Sequence, residues 1–197
     1  MVSFRFQVAV YNEGYTNLIP IGEYLHSRQE GGVLLQPDLD DSAIFLEVDG
    51  KELLATSWNF GDLELIVLQC EEAYHQLKEK QEAIIRSGVL DQPVVPYLLF
   101  EPTDKGETLL SIFAIFDNDK ARFAFPIDRI TGSSQELWSY VRKHREQLLF
   151  PPDRSPKYFT RVACPSHELI TALEREAALG RQLFATVGHD MHWETVS

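Results

Sequence analysis

The chain has 197 residues, of which 30 are acidic and 18 basic, giving a formal net charge of −12. Hydrophobic content of 44% and aromatic content of 11% suit a chain that buries a core and exclude intrinsic disorder. The shortage of Lys and Arg argues against a charge-driven nucleic-acid or anionic-membrane binder, since both need surplus cations.

In chain order, residues 3–11 alternate: Phe4, Phe6, Val8 and Val10 on one face, Arg5, Gln7, Ala9 and Tyr11 on the other. That predicts a half-buried strand. Asn12-Glu13-Gly14 predicts a turn, and Ile19–Leu25 a short helix or an edge strand. Gly31-Gly32 breaks it, Val33-Leu34-Leu35 reads as a brief strand, and Pro37–Ser42 as an acidic loop. Ile44, Leu46 and Val48 then alternate into Asp49-Gly50, a link that favours a type I′ hairpin because both central residues need positive φ.

Trp58-Asn59-Phe60-Gly61 leads into an apolar-striped stretch, Asp62–Gly88. Leu63, Ile66, Val67, Cys70, Tyr74, Leu77, Gln81, Ile84 and Ile85 recur at intervals of three and four, with only Gln81 polar, one face of a long helix closed by Gly88. A meander of three strands follows. Val94–Glu101 carries Pro96 as an edge or strand-start signal. Thr108–Phe116, apolar on both faces, reads as a central strand, and Phe123, Phe125 and Ile127 mark the third. Ser133-Ser134-Gln135-Glu136 is a capping box opening a helix through Leu148. Pro152–Arg161 reads as a polar linker. Pro165 starts a last helix with Leu169, Ile170, Leu173 and Ala177 inside, ending at Gly180 or running to Val187. The expectation is one α+β domain over 1–187: a mostly antiparallel sheet of about five to six strands with two or three helices packed on it. Residues 188–197 are read as a C-terminal tail.

No signal-peptide pattern opens the chain, and Leu109–Phe116 falls short of the roughly 20 residues a membrane span needs. Cys70 and Cys164 are read as two buried, inert thiols, and the expected location is the cytoplasm. Paired with His75, His144 or His167, either thiol would make a nucleophilic site, but no spacing supports that pairing. His189 and His192, with Asp190 between them, have metal-ligand spacing only if helical, and no third ligand is indicated. Asp38, Asp40 and Asp41 suit a hard cation, but the turn glycine of a calcium loop is replaced by Ala43. No catalytic residue, metal or cofactor is expected.

Charge is distributed unevenly. Residues 35–64 hold Asp38, Asp40, Asp41, Glu47, Asp49, Glu52, Asp62 and Glu64 against Lys51, a net of −7, while residues 142–161 carry a net of +4. The acidic segment can steer a basic protein partner, and Asp38, Asp40, Asp41, Glu47, Asp49, Glu52 and Trp58 are the candidate contact residues.

The stretch Ile44–Leu54, the tryptophan soon after it, the amphipathic helix and the meander up to about Phe125 together resemble the small acidic α+β immunity proteins of bacterial polymorphic toxin systems. That resemblance implies a non-enzymatic cytosolic inhibitor of a toxin domain. It carries over no binding residue, because such families differ most at their binding surfaces. Two other readings stand beside it. One is a small-molecule protein or enzyme with a pocket between helices and sheet, lined by Trp58, Tyr97, Trp138 and Tyr140. The other is a subunit of a larger assembly.

Overall fold

The structure is a computed structural model and describes residues 1–12, 15–30, 36–54, 63–86, 94–116 and 160–189. Within them the chain is α+β, with antiparallel strands and three helices. The strands are β1 (Val2–Asn12), β2 (Tyr15–Pro20), β3 (Pro37–Val48), β4 (Lys51–Leu54), β5 (Ala83–Arg86), β6 (Val94–Pro102), β7 (Glu107–Phe116) and β8 (Thr160–Pro165). The helices are α1 (Ile21–Gln29), α2 (Leu63–Lys78) and α3 (Ser166–Val187). Among the described residues the strands divide between two sheets, ordered β2-β1-β3-β4 and β5-β6-β7-β8.

Period-two alternation decides the first sheet. Phe4, Phe6, Val8 and Val10 are all buried, with Ile44, Leu46 and Val48 of β3 beside them. The Asp49-Gly50 link has φ of 51° and 77°, both positive as the two-residue turn requires. In the second sheet β7 lies between β6 and β8, the central place its two apolar faces predicted. Pro96 sits one residue beyond the last β5–β6 pair, Arg86↔Tyr97, so its missing N–H removes no bond to β5.

Three expectations are corrected. The helix predicted over Asp62–Gly88 stops at Lys78, and Ala83–Arg86 form β5. The stop is made by the backbone. Lys80 takes φ 58°, its N–H bonds Leu77 O at 3.0 Å, and the Gln81 N–H bonds Gln76 O at 2.8 Å. That pair of bonds is a Schellman closure with lysine where glycine is usual. Pro37–Ser42, expected as a loop, belongs to β3; its pattern was disguised by a bulge. The register passes from Val8↔Ser42 to Ala9↔Asp38, leaving Leu39, Asp40 and Asp41 without partners on β1 and breaking the alternation. Thr160 and Arg161, expected at the end of a linker, begin β8, whose last residue, Pro165, is the N-cap of α3.

Ile19–Leu25 proves to be both things expected of it, the end of β2, an edge strand among the described residues, and the start of α1. α3 runs through Gly180 to Val187. The expectations for Gly31–Leu35, Trp58–Gly61, the strand at 123–127, the Ser133–Leu148 helix and most of the 152–161 linker lie outside the described residues.

One contiguous core joins both sheets to the helices. Leu63, Ile66, Val67 and Cys70 of α2 and Leu169, Leu173, Ala177 and Phe184 of α3 meet Phe4, Phe6 and Leu46 from one sheet and Leu98, Phe100 and Leu110 from the other. The two long helices approach closely at Gly180, where an added Cβ would lie 2.4 Å from Val67 Cγ2. Along their flank run three ion pairs: Glu64 with His189 at 2.9 Å, Glu71 with Arg181, and Lys78 with Glu174 at 2.8 Å. Partners rise by seven on α2 as they fall by seven or eight on α3, so the helices are antiparallel and nearly in step.

Candidate partner-binding surface

The face of the first sheet opposite the alternating apolar set carries Ser3, Arg5, Gln7 and Ala9 of β1, in register with Glu47, Phe45, Ala43 and Asp38 of β3; it is open at the Arg5 end, while Ala9 and Ala43 are buried. These are the residues left over when the alternating apolar set turns inward. At the hairpin end, Glu47 also stands directly opposite Glu52 of β4. Glu47 is half-buried and Glu52 exposed, and neither makes a hydrogen bond or ion pair with a described residue. Like charges placed opposite each other cost about 0.2–1 kcal/mol. Beside them the Arg5 guanidinium lies over the half-buried Phe45 ring, 5.6 Å from its centroid, and Arg5 Nε donates to Ser3 Oγ at 3.0 Å.

Asp49 lies at the tip of the same hairpin, exposed, and pairs with the Met1 amine. Asp38 and Asp40 sit at the other end of β3, in the bulge, where the Asp40 N–H donates to Asp38 Oδ1 at 3.0 Å. The bulge has a reason in sequence: Asp38 bonds the backbone two residues on, which competes with ladder pairing. Asp38 faces Ala9 and Glu47 faces Ser3, so six residues of β1 separate the two acidic ends, about 20 Å at roughly 3.3 Å per residue. The structure therefore brings Glu47, Asp49 and Glu52 together and sets Asp38 and Asp40 apart. The Asp41 side chain and Trp58 lie outside the described residues, as does nearly all of the basic 142–161 segment.

The remaining candidates are placed as follows. Cys70 and Cys164 are free and buried. Burial, helped by the charge of Glu176, holds the Cys70 thiol well above the ordinary range. Burial likewise pushes Cys164 up to about 11, and its Sγ donates to Thr108 O at 3.6 Å. Both are therefore protonated and poorly nucleophilic at neutral pH. His75 and His167 are exposed. His189 packs its ring on Phe184 and bonds Glu64, so the chain is docked through that residue; His192, Tyr97's side chain, Trp138, Tyr140 and His144 lie outside the described residues. Among the described residues no group of three or more His, Cys, Asp or Glu is arranged to hold a metal ion. No described helix is long and apolar enough to cross a membrane. The chain matches no family model, no curated protein and no solved structure.

Sequence reasoning found the acidic residues but missed Arg5 and Phe45 as part of the same face. The signal was present: both fall on the outward parity of strands whose inward parity is apolar.

Proposed function

We propose that this chain is a cytoplasmic protein-binding module, of the immunity-type inhibitor kind, that engages a basic partner through the outer face of its first sheet. The carrying observation is the carboxylate pair, Glu47 opposite Glu52, which no cation among the described residues relieves, beside the half-buried Phe45. A partner cation seated there would offset the like-charge cost and gain a charge-assisted hydrogen bond. A half-buried aromatic with an arginine beside it, rimmed by charge, is the composition in which binding energy concentrates. The second acidic end lies about 20 Å away, beyond the buried Ala9 and Ala43. There it would act at a distance, raising the association rate of a basic protein.

The test is capture from the source lysate by tagged wild type and by the Glu47→Lys/Glu52→Lys variant, washed at low and then high salt. The expected result is one basic protein bound by wild type, released by salt, and not bound by the variant, with both chains giving the same circular dichroism spectrum. Capture of the same protein by both, at either salt, would remove this face from the interaction.

A further inference from the structure

The register of β1 leaves part of it with one strand neighbour. β2 pairs with β1 only from Gln7 to Asn12, whereas β3 accompanies β1 from Val2. On the side away from β3, residues 2–6 therefore meet no strand among the described residues, an edge of the kind that invites pairing by another strand. Side chains of α3 occupy it. The Val2 N–H donates to Glu168 Oε2 at 2.9 Å, the Phe4 carbonyl accepts from Arg175 Nη2 at 3.2 Å, and the Phe6 N–H donates to Glu176 Oε2 at 3.0 Å.

The first of these contacts reaches further than the other two. The Val2 N–H and the Met1 carbonyl belong to one planar peptide group. Its N–H end is held by Glu168, and its carbonyl end accepts from the Asp49 N–H at 2.9 Å. Asp49 opens the two-residue link between β3 and β4, with φ 51°. One peptide thus connects a side chain of α3 to the tip of the acidic hairpin. Hydrogen bonds in such a chain polarise one another, so that loss of one weakens the next. Glu47 and Glu52 form the second ladder pair from that tip, after Val48↔Lys51.

Glu168 is itself anchored. It stands in the first turn of α3, which Ser166 opens. The Ser166 N–H donates to Gly106 O at 3.0 Å, and Ser166 Oγ lies 2.8 Å from Thr108 Oγ. Gly106 precedes β7 and Thr108 lies within it, so this helical turn is pinned to the second sheet while its carboxylate holds the first. We infer that Glu168 is the positioning residue of the acidic hairpin: it fixes the Asp49-Gly50 tip, and with it Glu47 and Glu52, to the framework made by α3 and the second sheet. The Met1 amine, which pairs with Asp49, also lies 3.2 Å from Glu168 Oε2, so charge acts there beside the hydrogen bond. The use of this brace rests on the binding reading above: a surface fixed before its partner arrives loses less freedom on binding.

The test compares full-length wild type with Glu168→Gln, which keeps an oxygen for the Val2 N–H without the charge, and with Glu168→Ala, which keeps neither. The readout is amide hydrogen exchange at Asp49, whose N–H is bonded to Met1 and not to Glu168. In Glu168→Ala it should exchange about tenfold faster, the effect of losing one hydrogen bond to a part-exposed charged group. Glu168→Gln should exchange like wild type. An unchanged Asp49 rate in Glu168→Ala overturns the proposal. So does an equal rise in Glu168→Gln, which would assign the effect to charge, and so does a rise of the same size at Leu110 of the second sheet, which would report general loosening. In the salt-washed capture, Glu168→Ala should retain less of the basic protein than wild type, and Glu168→Gln the same amount. Equal capture by all three overturns the part of the brace in binding. A wild type that captures nothing fails the binding reading alone, because the exchange experiment is read without a partner.

Discussion

Glycine 180 is the point at which α2 and α3 come closest, and Gly180→Ala measures how firmly that contact is fixed. The added Cβ would lie 2.4 Å from Val67 Cγ2, with Val67 Cγ1 at 3.4 Å and Cβ at 3.5 Å. Ordinary carbon contacts are about 3.5–4.0 Å, so one methyl group must yield by more than about 1 Å. Val67 has little room to rotate, because a β-branched residue in a helix holds one χ1 rotamer about 90% of the time. Overpacking of this kind costs about 1–3 kcal/mol. Alanine returns up to about 1 kcal/mol of helix propensity. The net expectation is a loss of up to about 2 kcal/mol, which for a chain of this size lowers the thermal midpoint by up to about 8 °C. The assay is a double-mutant cycle by denaturant titration. Val67→Ala alone opens a small cavity and costs about 2 kcal/mol. Combined with Gly180→Ala it removes the clash, so the double variant should lose at least about 1 kcal/mol less than the sum of the singles. A stabilising Gly180→Ala, or strict additivity, would refute the close approach.

Lys80→Gly should stabilise the chain by about 0.5–1 kcal/mol in chemical denaturation, since lysine at φ 58° carries a Cβ penalty that glycine lacks. Arg181→Met, cycled against Glu71→Gln, should show a coupling of at most about 1 kcal/mol, because the Arg181 side chain is 43% exposed. Glu52→Lys should raise stability by about 0.2–1 kcal/mol by turning a like-charge cross-strand pair into an opposite one. A decrease would contradict the Glu47↔Glu52 register, and the same variant should bind the basic partner less well.

The sequence was most informative where local chemistry and tertiary packing agree. The alternation of Phe4 to Val10, the Asp49-Gly50 link and the inner face of α3 follow from side-chain period and backbone permissiveness alone. It misled where one pattern serves two structures. Ile84 and Ile85 continue the helical spacing of α2, yet Ala83-Ile84-Ile85 also satisfies a short buried strand, and the deciding event is a left-handed lysine that no residue type marks. Pro37–Ser42 concealed a strand because the bulge interrupts the period. The candidate surface was legible as charge but not as geometry. Composition counts carboxylates; only the register shows that Glu47 meets Glu52 while Asp38 stands about 20 Å away.

The contact between α3 and β1, in which the Phe6 N–H donates to Glu176 Oε2 at 3.0 Å, also has a dimension in time. Phe6 and the carboxyl that binds its amide are 170 residues apart in the chain. At a synthesis rate of about 5–20 residues per second, Glu176 is made roughly 8–35 s after its partner. For that interval β1 leaves the ribosome with residues 2–6 unguarded, long after local structure has had time to form. Nascent chains on neighbouring ribosomes share the same open strand, so a stop before Ser166 should yield a product that associates with itself, while one that retains α3 should not.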